Sequence, residues 1–230
     1  MNHISVNTFS IDHTQSKLFD IFGGTFMGVI YLIRHGETEW NSQGRIQGHT
    51  DIGLSEIGHS QAVSTAKRLE NIKFDAAYSS DLTRTKNTAK VILGNSSTPL
   101  QATETLREYN KGVFEGLTFE EYSQKYPDLY KASLVNDLDF SPTDGESARQ
   151  VSDRMATFSD EIKSKHDSDT VLVVGHGGAL RCLVTNLLSL PPEFIFKLVT
   201  DNCSITVIHT YPDNTVLHLY NDSSHIKKVN

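Results

Sequence analysis

Val29-Ile30-Tyr31-Leu32-Ile33 runs directly into Arg34-His35-Gly36-Glu37-Thr38-Glu39-Trp40-Asn41. The first five residues are apolar and rich in β-branched side chains, without the alternation of a half-wet strand. That is the pattern of a strand buried on both faces. Val171-Leu172-Val173-Val174 repeats it and runs into Gly175-His176-Gly177-Gly178. Helical signals lie around and between these runs. Ser55 opens a helix carrying Ile57, Ala62, Ala66 and Leu69, and Leu82 to Leu93 reads as another, closed by Gly94. Ala76-Ala77-Tyr78 is a short strand, and Thr118 with Glu121 forms a capping box for a helix that stops before Pro127. From Ser147 to Lys165, Val151, Met155, Phe158 and Ile162 step by 4, 3 and 4, which is helical spacing. An apolar helix from Gly178 to Leu188 follows. Ile205 to His209 and Val216 to Tyr220 flank Pro212-Asp213-Asn214, a hairpin signal. Strands alternating with helices predict an α/β protein: a three-layer α/β/α fold with a mostly parallel central sheet and a C-terminal antiparallel hairpin.

Composition narrows the class further. The chain has 230 residues, 37% hydrophobic and 21% charged, which excludes collagenous, low-complexity and disordered chains. With 28 acidic against 21 basic residues and a net charge of -7, nucleic acid is not an expected partner. The early apolar stretch from Leu18 to Ile33 is interrupted by Asp20, so no membrane span is expected, and the first sixteen residues hold no Lys or Arg to start a secretory signal. The cytoplasm is therefore the expected location. Cys182 and Cys203 have no metal-ligand spacing and read as buried packing thiols in a reducing compartment. Residues 1–27 are polar and largely aperiodic, an N-terminal extension outside the core. Residues 28–230 form one domain, and homodimerisation is left open.

In a sheet of this kind, functional loops sit at the carboxyl ends of strands. His35 and His176 each follow a core strand directly, and each is flanked by glycine, which permits close approach of a ligand. Arg34 precedes the first histidine, and Arg84 lies in the first turn of the helix after Tyr78-Ser79-Ser80-Asp81. Guanidinium groups grip phosphate oxygens through paired, charge-assisted hydrogen bonds. Two arginines, two histidines and a helix N-terminus at one place would neutralise a phosphate dianion.

Arg34-His35-Gly36, Ser79-Ser80-Asp81-Leu82-Thr83-Arg84-Thr85, Leu106-Arg107-Glu108 and Gly175-His176-Gly177-Gly178 together resemble the histidine phosphatase superfamily, from about Val29 to about Tyr220. That superfamily includes the cofactor-dependent phosphoglycerate mutases. The resemblance implies His35 as the nucleophile that carries a transient phosphohistidine. It implies Arg34, Arg84 and His176 as the phosphate cradle, with Asn41 as an auxiliary donor. Glu108 matches the general acid, although Glu37 and Glu115 are nearby carboxylates. No metal and no cofactor is implied. The implied partner is a small phosphorylated substrate.

Phosphatase and mutase share this core. Glu108-Tyr109-Asn110-Lys111-Gly112-Val113-Phe114-Glu115-Gly116 resembles the phosphatase pattern, and Tyr109-Asn110 departs from the mutase version. The segment from Thr118 to Glu146 carries seven acidic residues against Lys125 and Lys131, where mutases have a basic stretch. A metal-independent phosphomonoesterase is the favoured reading. Phosphoglycerate mutase and a phosphate-binding module without turnover are the alternatives. The acidic segment should lie over the pocket mouth, so substrates with one phosphate and an uncharged or cationic remainder should be turned over faster than bisphosphates or phosphoglycerates.

Overall fold

A computed structural model describes residues 28–226, and the expectations for residues 1–27 lie outside it. The elements in chain order are β1 (Gly28–Arg34), α1 (Glu39–Ser42), α2 (Glu56–Arg68), β2 (Ala76–Ser80), α3 (Thr83–Leu93), β3 (Leu100–Thr103), α4 (Phe119–Lys125), α5 (Pro127–Ser133), α6 (Ala148–Lys165), β4 (Thr170–Gly175), α7 (Gly177–Leu187), β5 (Ile205–Tyr211) and β6 (Asn214–Asp222). They build a six-stranded sheet of order β3-β2-β4-β1-β5-β6. β1 pairs with β4 in parallel, as β2 does with β3 and β4, while β5 runs antiparallel to β1 and forms the terminal hairpin with β6.

Both faces of the sheet are covered, which is why the strand runs are continuously apolar. Ile30, Leu32, Val171 and Val173 pack on one face against Met155, Phe158 and Ile162 of α6 and Leu180 and Leu183 of α7. Tyr31, Ile33, Leu172 and Val174 pack on the other face with Ala89 and Ile92 of α3. Truncating a fully buried residue such as Leu172 to Ala would cost about 2–5 kcal/mol, because a cavity is left behind.

Helix starts follow local chemistry. Ser55, Thr118 and Ser147 each accept a backbone N–H of the first turn, and Thr118–Glu121 and Ser147–Gln150 are full capping boxes. Among the strands and α-helices, three escaped the sequence reading. β3 is a four-residue edge strand with two exposed residues, so it lacks a run long enough to read. α1 is a single turn, and α5 begins at Pro127, where proline both ends α4 and starts the next helix.

Candidate active site

The pairing of β1 with β4 places Arg34 opposite Gly175, so the next residues, His35 and His176, leave the sheet side by side at its centre. Their ring centroids lie 5.2 Å apart. Both rings are buried, as is Arg84, the largest fully buried side chain among the described residues. The His35 Nδ1–H donates to the Gly36 carbonyl at 2.7 Å, since a carbonyl can only accept. The lone pair of neutral His35 is therefore on Nε2. Arg84 Nε donates to His176 Nδ1 at 3.2 Å, and its two terminal nitrogens hold Thr50 O at 2.9 Å and Gly48 O at 2.8 Å. That assigns the proton of neutral His176 to Nε2.

Two buried polar atoms here have no protein partner among the described residues: His176 Nε2 and Arg34 Nε. Buried donors without partners are costly. Arg34 is anchored by Nη1, which donates to Thr200 O at 2.7 Å. Burial, reinforced by the other ring and the two guanidiniums, holds His35 well below the usual histidine pKa against the opposing bond to Gly36. Burial and the charges of Arg84 and Arg34 do the same to His176. Both rings are neutral at pH 7.

Glu108 sits on the N-terminus of α7. Its carboxylate accepts Gly178 N at 2.9 Å, Ala179 N at 3.1 Å and its neighbour Tyr109 N at 2.9 Å. A Cβ at position 178 would stand 2.5 Å from the Glu108 Oε1, so glycine is needed for this approach. The N-terminus of α7, directly after His176, is thus occupied by Glu108. Burial alone would raise the Glu108 pKa. The Gly178 amide, Lys111, the Tyr109 amide and Arg181 outweigh it and hold the group below the usual carboxylate value.

The rival carboxylates are engaged elsewhere. Glu115 accepts His49 N, Thr50 N, Thr50 Oγ1 and Lys111 N, pinning two loops together. Glu37 accepts from Ser55 Oγ at the start of α2. Asn41 uses its Oδ1 to cap α1, accepting from Thr38 N at 3.1 Å and also from Asn202 Nδ2 at 3.5 Å, so only its Nδ2 remains to donate. Asn202 itself holds the His35 carbonyl at 2.9 Å. It lies in a loop without motif character, and no sequence signal marked it.

A cavity of about 620 Å³ opens beside this cluster, bordered by Arg34, Glu108, Lys111, Gly177 and Arg181. The segment from Thr118 to Glu146 does cover it, but not with the expected charge. Its cavity-facing residues are mostly apolar, among them Phe119, Leu134, Val135 and Phe140, and of its seven acids only Asp137 and Glu146 border the space. Glu121 is taken by the α4 cap and an ion pair with Arg45 at 2.7 Å. The expected electrostatic screen against anionic substrates is therefore reduced to Asp137 and Glu146 on this wall, because most of the other acids point to solvent.

The buried histidine pair and its arginines thus stand at the carboxyl edge of an α/β sheet, where such folds hold their functional loops. The chain belongs to the histidine phosphatase superfamily (branch 1), whose family model matches residues 30–223, and it is a phosphatase enzyme of that superfamily. An Arabidopsis thaliana protein named metal-independent phosphoserine phosphatase is 38% identical over 204 residues, 87% of this chain and 84% of the relative. Phosphoglycerate mutase-like protein 4 of the same plant is 34% identical over 87% of each chain. Among solved structures, Bacillus stearothermophilus YhfR superposes with a TM-score of 0.80 at 31% identity, covering 87% of this chain and all of its own. No described helix is long and apolar enough to cross a membrane.

Proposed function

We propose that this enzyme is a metal-independent phosphomonoesterase that hydrolyses a small phosphorylated metabolite through a phosphohistidine at His35. The observation that carries this reading is the pair of partnerless buried donors, Arg34 Nε and His176 Nε2, beside a neutral His35 whose Nε2 is available. In the proposed cycle, Arg34, Arg84, His176 and Asn41 hold the phosphate oxygens as charge spreads over them. The His35 Nε2 lone pair attacks phosphorus in line, forming the N–P bond as the P–O ester bond breaks. Glu108 gives its proton to the departing oxygen. It then takes a proton from the water that cleaves the N–P bond, which returns His35 neutral and releases phosphate. In the empty site Glu108 is ionised, and the incoming phosphate supplies the negative charge that raises its pKa and loads the proton. Phosphoserine, in the name of the Arabidopsis relative, is one monoester of the required kind. The two buried free thiols fit a reducing compartment, and the cytoplasm is the proposed location.

The test is a phosphate-release screen over a panel of monoesters with and without chelator, run beside an assay for isomerisation of 3-phosphoglycerate. Release that survives chelation is expected. Isomerisation outpacing release would make the enzyme a mutase, and binding of phosphate without turnover of any ester would reduce it to a binding module.

The acid side of the pH profile offers a separate check. Imidazolium has no lone pair to attack with, and burial in this cationic cluster disfavours it. Activity should therefore persist as pH falls through 6.5, the ordinary histidine value, and be lost only below it. A limb in kcat/KM at or above 6.5, after correction for the substrate's own titration, would contradict the neutral nucleophile.

The loop that carries Glu108 is itself clamped. Arg154 of α6 donates to Thr105 O at 2.7 Å and Glu108 O at 2.9 Å, and pairs with Glu146 at 3.2 Å, whose Oε2 accepts Asn110 N at 2.8 Å. Arg154→Met should lower kcat by about tenfold or more, since a displaced acid is a poor acid. The inhibition constant of inorganic phosphate should move less than about threefold, because the cradle is untouched. Equal losses in both would mean that Arg154 serves the fold as a whole.

A further inference from the structure

His35 is followed by a glycine, and the packing requires it. A Cβ on Gly36 would collide with the Gly58 carbonyl of α2. Glycine brings loose torsions with it, since no side chain restricts them. The acceptor that fixes the His35 ring, the Gly36 carbonyl, therefore hangs on backbone with little stiffness of its own. A ring aimed from such a residue is only as steady as the two peptide planes that flank Gly36.

Side chains from three places hold both planes. Asn202 Nδ2 donates to the His35 carbonyl at 2.9 Å, and the Gly36 amide of the same plane donates to Thr88 Oγ1 of α3 at 3.1 Å. On the next plane, Glu37 N donates to Gln61 Oε1 of α2 at 2.9 Å. Asn202 is the sole donor to the His35 carbonyl among the described residues. Thr88 and Gln61 stand on helices, whereas Asn202 arrives on a strained loop. Cys203 beside it has a φ of 56°, and Asn221, which accepts from Asp201 N at 2.7 Å and donates to Asp201 Oδ2 at 3.1 Å, has a φ of 52°. Left-handed backbone at residues other than glycine is unfavourable and persists only where surrounding contacts enforce it. The same loop grips Arg34, since Cys203 N donates to Arg34 O at 3.0 Å and Thr200 O accepts Arg34 Nη1 at 2.7 Å. Asn202 Nδ2 also lies 3.5 Å from Asn41 Oδ1. Thr38 N at 3.1 Å and Thr38 Oγ1 at 3.2 Å hold that oxygen independently, so the Asn41 amide does not depend on Asn202.

We propose that Asn202 is a positioning residue for the nucleophile: by fixing the His35–Gly36 peptide it keeps the Gly36 carbonyl on Nδ1–H and the Nε2 lone pair aimed at phosphorus. The catalytic consequence rests on the phosphomonoesterase reading, while the anchoring of the ring rests on the geometry alone. In this role Asn202 touches neither the phosphate nor the leaving group. Its loss leaves a buried carbonyl without a donor and misdirects His35, with the cradle intact.

The experiment uses the full chain with Asn202→Leu, close in size but without a donor, and Asn202→Ala as a second variant. Thermal melts verify that each folds. Nitrogen NMR of isotope-labelled histidine at neutral pH reads the ring directly, with the His35 signals identified by their loss in His35→Ala. Wild type should show His35 with a slowly exchanging proton on Nδ1. The variants should show both tautomers, or an Nδ1 proton lost to fast exchange. In kinetics, kcat/KM should fall by about tenfold or more, because a displacement of about 1 Å at the reacting atom suffices for that. The factor should be the same for p-nitrophenyl phosphate and propyl phosphate. Forming the N–P bond is common to both esters, whereas proton donation by Glu108 matters chiefly for the alkyl leaving group. The inhibition constant of inorganic phosphate should move less than about threefold. An unchanged Nδ1 proton in both variants, an unchanged kcat/KM, a loss confined to propyl phosphate, or a loss matched by the phosphate constant would each overturn the assignment. Failure of the wild type to hydrolyse any ester would instead sink the phosphatase reading, and the Nδ1 proton would still decide whether Asn202 holds the ring.

Discussion

Replacing His35 with alanine is expected to lower kcat by roughly four orders of magnitude or more while the protein still folds. The reason is that the ring supplies the only protein atom that bonds to phosphorus in the proposed cycle. His176 cannot substitute, because its Nδ1 accepts from Arg84 and its Nε2 carries the proton. The structural cost is small by comparison. The ring makes one side-chain hydrogen bond, to the adjacent Gly36 carbonyl, and its loss leaves a polar cavity that water can enter. The decisive measurement is a rapid quench in base with labelled substrate. Wild type should yield an acid-labile, base-stable phosphoryl adduct, and His35→Ala should yield none. An adduct that survives in the variant would move the nucleophile elsewhere.

Arg84→Met should be nearly as damaging, but for two reasons that can be separated. Arg84 is 1% exposed, and burial pushes its pKa down to about 10, so it remains a cation at neutral pH. In the proposed cradle that charge faces the phosphate, and its removal should cost about a thousandfold in kcat/KM. It also ties the loop at Gly48 and Thr50, through their two carbonyls, to the His176 ring. Leaving those acceptors buried without donors costs about 1–3 kcal/mol each, so the melting temperature should fall as well. Arg84→Lys keeps the charge but cannot reach all three acceptors from one nitrogen, so it should recover little activity. Binding of inorganic phosphate separates the two effects. If folded Arg84→Met binds phosphate as tightly as wild type does, Arg84 serves the loop and not the cradle.

Local and periodic features were legible in the sequence alone. The apolar runs at Val29 to Ile33 and Val171 to Val174 declared buried strands. The 4-3-4 spacing through Val151 and Ile162 declared α6, and Ser55, Thr118 and Ser147 marked helix starts. These signals act within a few residues, where side-chain period and backbone capping are set by nearest neighbours. The position of His35 and His176 at strand ends followed from the same reading. Only the tertiary structure made them partners, because β1 and β4 lie far apart in the chain and are joined by pairing across the sheet. It also chose among the carboxylates. Glu108, Glu37 and Glu115 are alike in sequence, but Glu108 alone of the three meets the amides of α7, through a glycine that leaves room for it. The segment from Thr118 to Glu146 covers the cavity as its sequence suggests, but only Asp137 and Glu146 of its seven acids border the space. A count carries no direction, and the packing of Tyr122 and Phe114 turns an apolar face inward while Glu121 pairs outward with Arg45. Lys111 and Arg181 were ordinary charges in a loop and a helix until the fold set them on one cavity wall. Meetings of that kind depend on non-local packing, which no short window of sequence contains.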